Sequence, residues 1–119
     1  MMHFMRHAKH ARHAKLGNTP GAQSRYVALK VPGSDIGVEL IEYKDIARKP
    51  LHGRVQDPGT AILQLRVRDV TALTARLKKA GVPVVTTGRV PVDVGTNLKI
   101  AIVRDPNNLM LELLQSTAQ

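Results

Sequence analysis

The sequence predicts an α+β fold in which one helix lies on a four-stranded sheet. Three observations carry this. From Thr60 onward the chain reads as strand, helix and three further strands. Only the segment after Asp69 spaces its apolar residues helically, while its neighbours alternate with period two. The links between the later strands are short, so a single crossover gives way to an antiparallel meander. At 119 residues, the chain is long enough for one ordinary hydrophobic core.

The elements follow in chain order. Residues 1–20 form a basic, low-complexity arm in which Arg6–Lys15 cycles through base, His and Ala. Such a composition buries too little to offset its ordering entropy, so the arm is read as solvated and disordered. Its histidines, His3, His7, His10 and His13, would bind a metal only if they converged. A three-residue spacing instead fans them around a helix.

Gly17-Asn18-Thr19-Pro20-Gly21 ends the arm. Two strand-like runs, Tyr26–Val31 and Gly37–Tyr43, are joined by Pro32-Gly33-Ser34-Asp35, a tight reversal. A polar connector, 46–59, leads to Thr60–Val67, where Leu63, Leu65 and Val67 share one face and Ile62, Gln64 and Arg66 the other. Asp69 is a good N-cap for the helix that sets Val70, Leu73, Leu77 and Ala80 on one stripe. Gly81 and Pro83 stop it. Strands are expected at Val84–Thr87, Leu98–Val103 and Leu109–Leu114, with Asp105-Pro106-Asn107-Asn108 as the last reversal. One helix cannot cover both faces of the sheet. The other face must close over a partner sheet or a ligand, or stay exposed.

Composition excludes several function classes. With no Cys, there is no disulfide scaffold, thiolate zinc, iron–sulfur cluster or Cys nucleophile, and a reducing, cytoplasmic setting is the expectation. No apolar run approaches the ~20 residues of a membrane span. Aromatic residues are only 3%, so stacking on bases or sugars has few possible platforms. The net charge of +9 invites a nucleic-acid reading, but six bases and no acid fall in residues 1–34. The later chain carries twelve bases against nine acids, so any nucleic-acid contact would run through the arm. The chain has no G-x-S-x-G, H-E-x-x-H or dinucleotide fingerprint.

The order of elements and several short motifs resemble one βαβββ module of the vicinal oxygen chelate superfamily. That superfamily includes glyoxalase I, bleomycin-resistance proteins and extradiol dioxygenases. Asp105-Pro106-Asn107-Asn108-Leu109-Met110-Leu111-Glu112-Leu113 is similar to the closing strand of the module. Leu65-Arg66-Val67, Asp69 and Gly81-Val82-Pro83 resemble its opening strand, helix start and helix end. Gly37–Tyr43 and Tyr26–Val31 look like the last strands of a preceding module. The resemblance implies a glyoxalase-like domain over 21–119, with an incomplete first module at 21–45 and a complete second one at 60–115.

In that family two modules close into a cup around a divalent metal, held by His from the first strands and Glu from the last. The resemblance assigns Glu39 and Glu112 as metal ligands and candidate catalytic carboxylates, converging inside the cup. Gln64, Arg66 and Tyr43 become candidate ligand-binding residues. The second module's His falls at Ile62, and the first module's His has no counterpart. Two carboxylates alone would hold Mg²⁺ or Mn²⁺ weakly, unless His52 or a second chain contributed. Fe, Ni or Zn would want the missing imidazoles.

The alternative for Glu39 and Glu112 is a polar pair with Gln64, Arg66 or water. The implied function is a metal-dependent lyase or dioxygenase with a degenerate site. A non-catalytic small-molecule binder or a truncated remnant is the alternative. Without its first strand, Gly37–Tyr43 keeps an unpaired edge, which predicts a homo-oligomer, expected as a dimer.

Overall fold

A computed structural model describes residues 3–4 and 11–117, with side chains from 14 to 117. Its secondary structure is mixed α+β, and it divides into two units, Met1–Lys49 and Pro50–Gln119. The division falls inside the connector read at 46–59.

The first unit holds a three-stranded antiparallel sheet in the order β1-β2-β3, formed by His3–Phe4, Gln23–Lys30 and Gly37–Lys44. Its centre is the β2–β3 hairpin, which pairs without a bulge from Gln23 opposite Lys44 to Lys30 opposite Gly37. The reversal forms as the sequence predicts. Gly33 takes a φ of +73°, which a residue with a Cβ resists, and the Ser34 hydroxyl accepts from the Ile36 N–H at 3.0 Å. Arg25 faces Glu42 across the ladder and the two form an exposed ion pair.

Within the stretch read as a solvated arm, Ala11–Leu16 is a short helix, α1. Ala, Leu, Lys and Arg are strong helix formers, and Asn18, with φ +49°, ends the run in the left-handed region. The four-histidine metal reading rests on side chains outside the described residues.

The second unit is the βαβββ module. Its sheet runs β4-β7-β6-β5, with β4 at Ile62–Arg66, β5 at Val92–Val94, β6 at Leu98–Arg104 and β7 at Met110–Ser116. β4 lies parallel to β7, and the other pairs are antiparallel. Helix α2, Val70–Lys79, makes the crossover. Asp69 caps it by accepting the Ala72 N–H at 2.9 Å, and Val82 N–H closes back on the Leu77 carbonyl beyond Gly81. The core lies between α2 and the sheet: Val70, Ala101, Val103 and Leu113 are buried, flanked by Leu73, Leu77 and Leu111. On the opposite face Val92 and Val94 are exposed.

The strand read at Val84–Thr87 is corrected. The structure forms one isolated bridge there, Val84 to Val103, and the regular strand β5 comes later, beyond a tight turn at Thr87–Arg89. Thr86 explains the break. Its hydroxyl accepts the Ile102 N–H at 2.7 Å, taking a donor that a continuing strand would have used.

Candidate functional site

Glu112 sits in the middle of β7, half-buried, on the face away from α2. Its neighbour Leu113 points into the helix-covered core, so the period of two turns Glu112 the other way. The ladder sets Gln64 of β4 directly opposite on one side and Ile102 of β6 on the other. The Gln64 Nε2 donates to the Glu112 Oε1 at 2.5 Å. Ile62 instead lies opposite Met110, one step along the same face. The residue across from the carboxylate is therefore the carboxamide, two positions after the one that the sequence resemblance marks for histidine.

Arg66 shares the face of Gln64 and stands opposite Leu114. The ion pairs among the described residues, Arg25–Glu42, Arg54–Asp57 and Lys99–Asp93, include neither Arg66 nor Glu112. A second polar anchor organises the near end of this sheet. The Arg104 guanidinium donates to the Gly53 carbonyl at 2.7 Å and to the Asn108 carbonyl at 3.0 Å, tying the connector to the sheet. His52, beside that anchor, is exposed. In the same region Leu51, Thr60, Leu109 and Met110 help line a small cavity of about 170 Å³.

Glu39 belongs to the first unit. On β3 it shares a face with Ile41 and Tyr43, and the hairpin register brings Ala28, Tyr26 and Ser24 opposite these three. A cavity of about 160 Å³ opens on this face, lined by Leu16, Gly17, Ser24, Tyr26, Glu39, Ile41 and Tyr43. Sequence reasoning named Glu39 and Tyr43 but not Ser24 or Ile41. The alternation of the hairpin, read in register, is the signal that would have found them.

The donors present do not fit the two-histidine, two-glutamate metal set. Glu112 faces an amide N–H, and its other cross-strand neighbour is an isoleucine. Among the described residues no three His, Cys, Asp or Glu side chains gather where one ion could reach them. No helix among them is long and apolar enough to cross a membrane.

The glyoxalase/bleomycin resistance protein/dioxygenase superfamily matches residues 5–113. The chain belongs to this superfamily. Its members often use divalent metals and often form dimers.

Among solved structures, a glyoxalase family protein from Bacillus cereus superposes with a TM-score of 0.78 at 13% identity, covering 97% of this chain and 78% of that one. The trypanothione-dependent glyoxalase I of Leishmania major superposes with a TM-score of 0.56 at 19% identity, covering 96% and 68%. At such identities the likeness establishes the fold alone. A search of curated proteins found no match.

Proposed function

We propose that this superfamily member binds a small organic molecule without a divalent metal. Glu112 is the recognition carboxylate, and Gln64 positions it. The observation that carries the reading is the Gln64–Glu112 hydrogen bond on the face away from α2. An amide N–H aimed at the carboxylate holds its orientation and leaves further lone pairs for a ligand's donor groups. Apolar neighbours on the same face, Ile62 and Ile102, suit the carbon skeleton of such a ligand, and Arg66 offers a positive charge at the margin. Because the donors do not fit a metal, no bond-making step is assigned. The reading includes a dimer and the cytoplasmic setting expected from the sequence.

Thermal melting with Mn²⁺ or Ni²⁺ tests it, since an ion that binds only the folded state raises the melting temperature. The wild-type chain should melt at the same temperature with and without millimolar metal. Gln64→His, which sets an imidazole across from Glu112, should gain a Ni²⁺-dependent rise. A rise in the wild type that disappears in Glu112→Gln would overturn the metal-free reading.

A further inference from the structure

We infer that the β2–β3 hairpin of the first unit carries a binding site for a small organic ammonium group, with Glu39 as counter-ion and Tyr26 and Tyr43 as its aromatic walls. This goes beyond the small-molecule reading, since it stands on a different unit and on none of the same side chains.

The chain has only two tyrosines and no tryptophan, and both tyrosines line this one cavity. The ladder explains the convergence. Tyr26 is paired with Ile41, so Glu39 and Tyr43, two residues to either side of Ile41, are both its diagonal neighbours on one face. Diagonal partners lie roughly 7–8 Å apart, within reach of an aromatic side chain. The cavity is open to solvent and of about 160 Å³, comparable in volume to the roughly 150 Å³ of a closed cavity that admits a benzene-sized molecule. An ammonium headgroup with a few carbons fits that space.

The chemistry selects an organic cation over a metal ion. Mg²⁺ and Ca²⁺ demand six or more oxygen ligands in a shell. This cavity offers one carboxylate, with hydroxyls and apolar carbon around it. An alkylammonium needs only one negative charge, and its carbon-bound surface is attracted to the faces of aromatic rings. The apolar side chains of Ile41 and Leu16 complete the lining.

Charges on the hairpin sharpen the case. Arg25 lies on the other face and is paired with Glu42. Lys30 shares the Glu39 face, diagonal to it across the ladder, yet it does not line the cavity and forms no ion pair with Glu39. Lys30 is thus a nearby like charge that opposes a bound cation and can be removed to test the electrostatics.

Because both tyrosines line the site and no tryptophan masks them, tyrosine emission of the full chain reports on it directly. Titration with n-butylammonium and with tetramethylammonium should give a saturable change, and n-butanol and butyrate should not. Glu39→Gln should weaken binding at least tenfold, Lys30→Ala should tighten it about twofold, and Asp93→Asn, which removes an exposed carboxylate from β5, should leave it unchanged. No saturable change with either ammonium would overturn the inference. So would an equal response to n-butanol, which would mark an apolar pocket only, or a response to ammonium that persists in Glu39→Gln. The metal-melting experiment reads the second unit, so the failure of either proposal is visible without the other.

Discussion

Gln64 and Glu112 are 48 positions apart in sequence, and the β4–β7 register alone makes them partners. The sequence resemblance identifies the carboxylate correctly as a residue of the closing strand. It places the module's His at Ile62, and the β4–β7 register sets that position opposite Met110, with Gln64 opposite the carboxylate. Gln64→Ala should therefore act on stability as well as on binding. A hydrogen bond of this kind contributes about 1 kcal/mol, and denaturant unfolding should show a loss of that size.

Arg54 and Asp57 form an ion pair three positions apart in the connector. The Arg54 guanidinium bonds the Asp57 carboxylate, and the Arg54 backbone N–H adds a further bond at 2.8 Å. Both hold the Asp57 carboxyl below its ordinary value, and the Arg54 pKa is raised in turn. A lowered carboxyl contributes stability that is present above its unfolded pKa, roughly 3.9, and is lost as pH falls through the folded one. The pair is exposed, so the effect is local. An NMR titration should find Asp57 titrating low in the wild type and moving up in Arg54→Ala.

At the scale of elements, the legible parts are those whose signal is local. Asp69 caps α2 and Gly81 ends it because side chain and backbone act within one turn. Asp105 shapes the last reversal in the same way, its carboxylate accepting the N–H groups of Asn107 and Leu109 at 2.8 Å, with Asn108 at φ +68°. Asp69→Ala should cost about 1 kcal/mol, read as a lower midpoint of chemical denaturation with little change in its slope.

What escaped was decided by partners distant in sequence. Val84–Thr87 has strand composition, but the Thr86 hydroxyl and the turn at Gly88 divert it. Val92–Val94, only three residues long and following Pro91, pairs because Ile100, Lys99 and Leu98 offer the free edge of β6. No window on the sequence holds that information.

At the scale of the whole molecule, the two units carry similar hairpins with different surroundings. In the second unit the outer edge of β7 is covered by β4. In the first, β3 ends its sheet, and no described strand pairs with its outer edge. An open strand edge beside exposed apolar side chains is a template for another chain. Ile36, Leu40 and Ile41, at 67%, 55% and 47% exposure, supply such side chains. Opposing this is the net charge of +9, which makes two copies repel. The proposed dimer should therefore be salt-dependent in a particular direction. Added salt screens the repulsion and leaves apolar contact intact, so the weight-average mass measured by light scattering should rise from low to moderate ionic strength. Leu40→Lys puts one more charge on the edge strand and should return the mass toward that of one chain at every salt concentration. A monodisperse monomer in the wild type, unmoved by salt or by protein concentration, would show that this edge does not join chains.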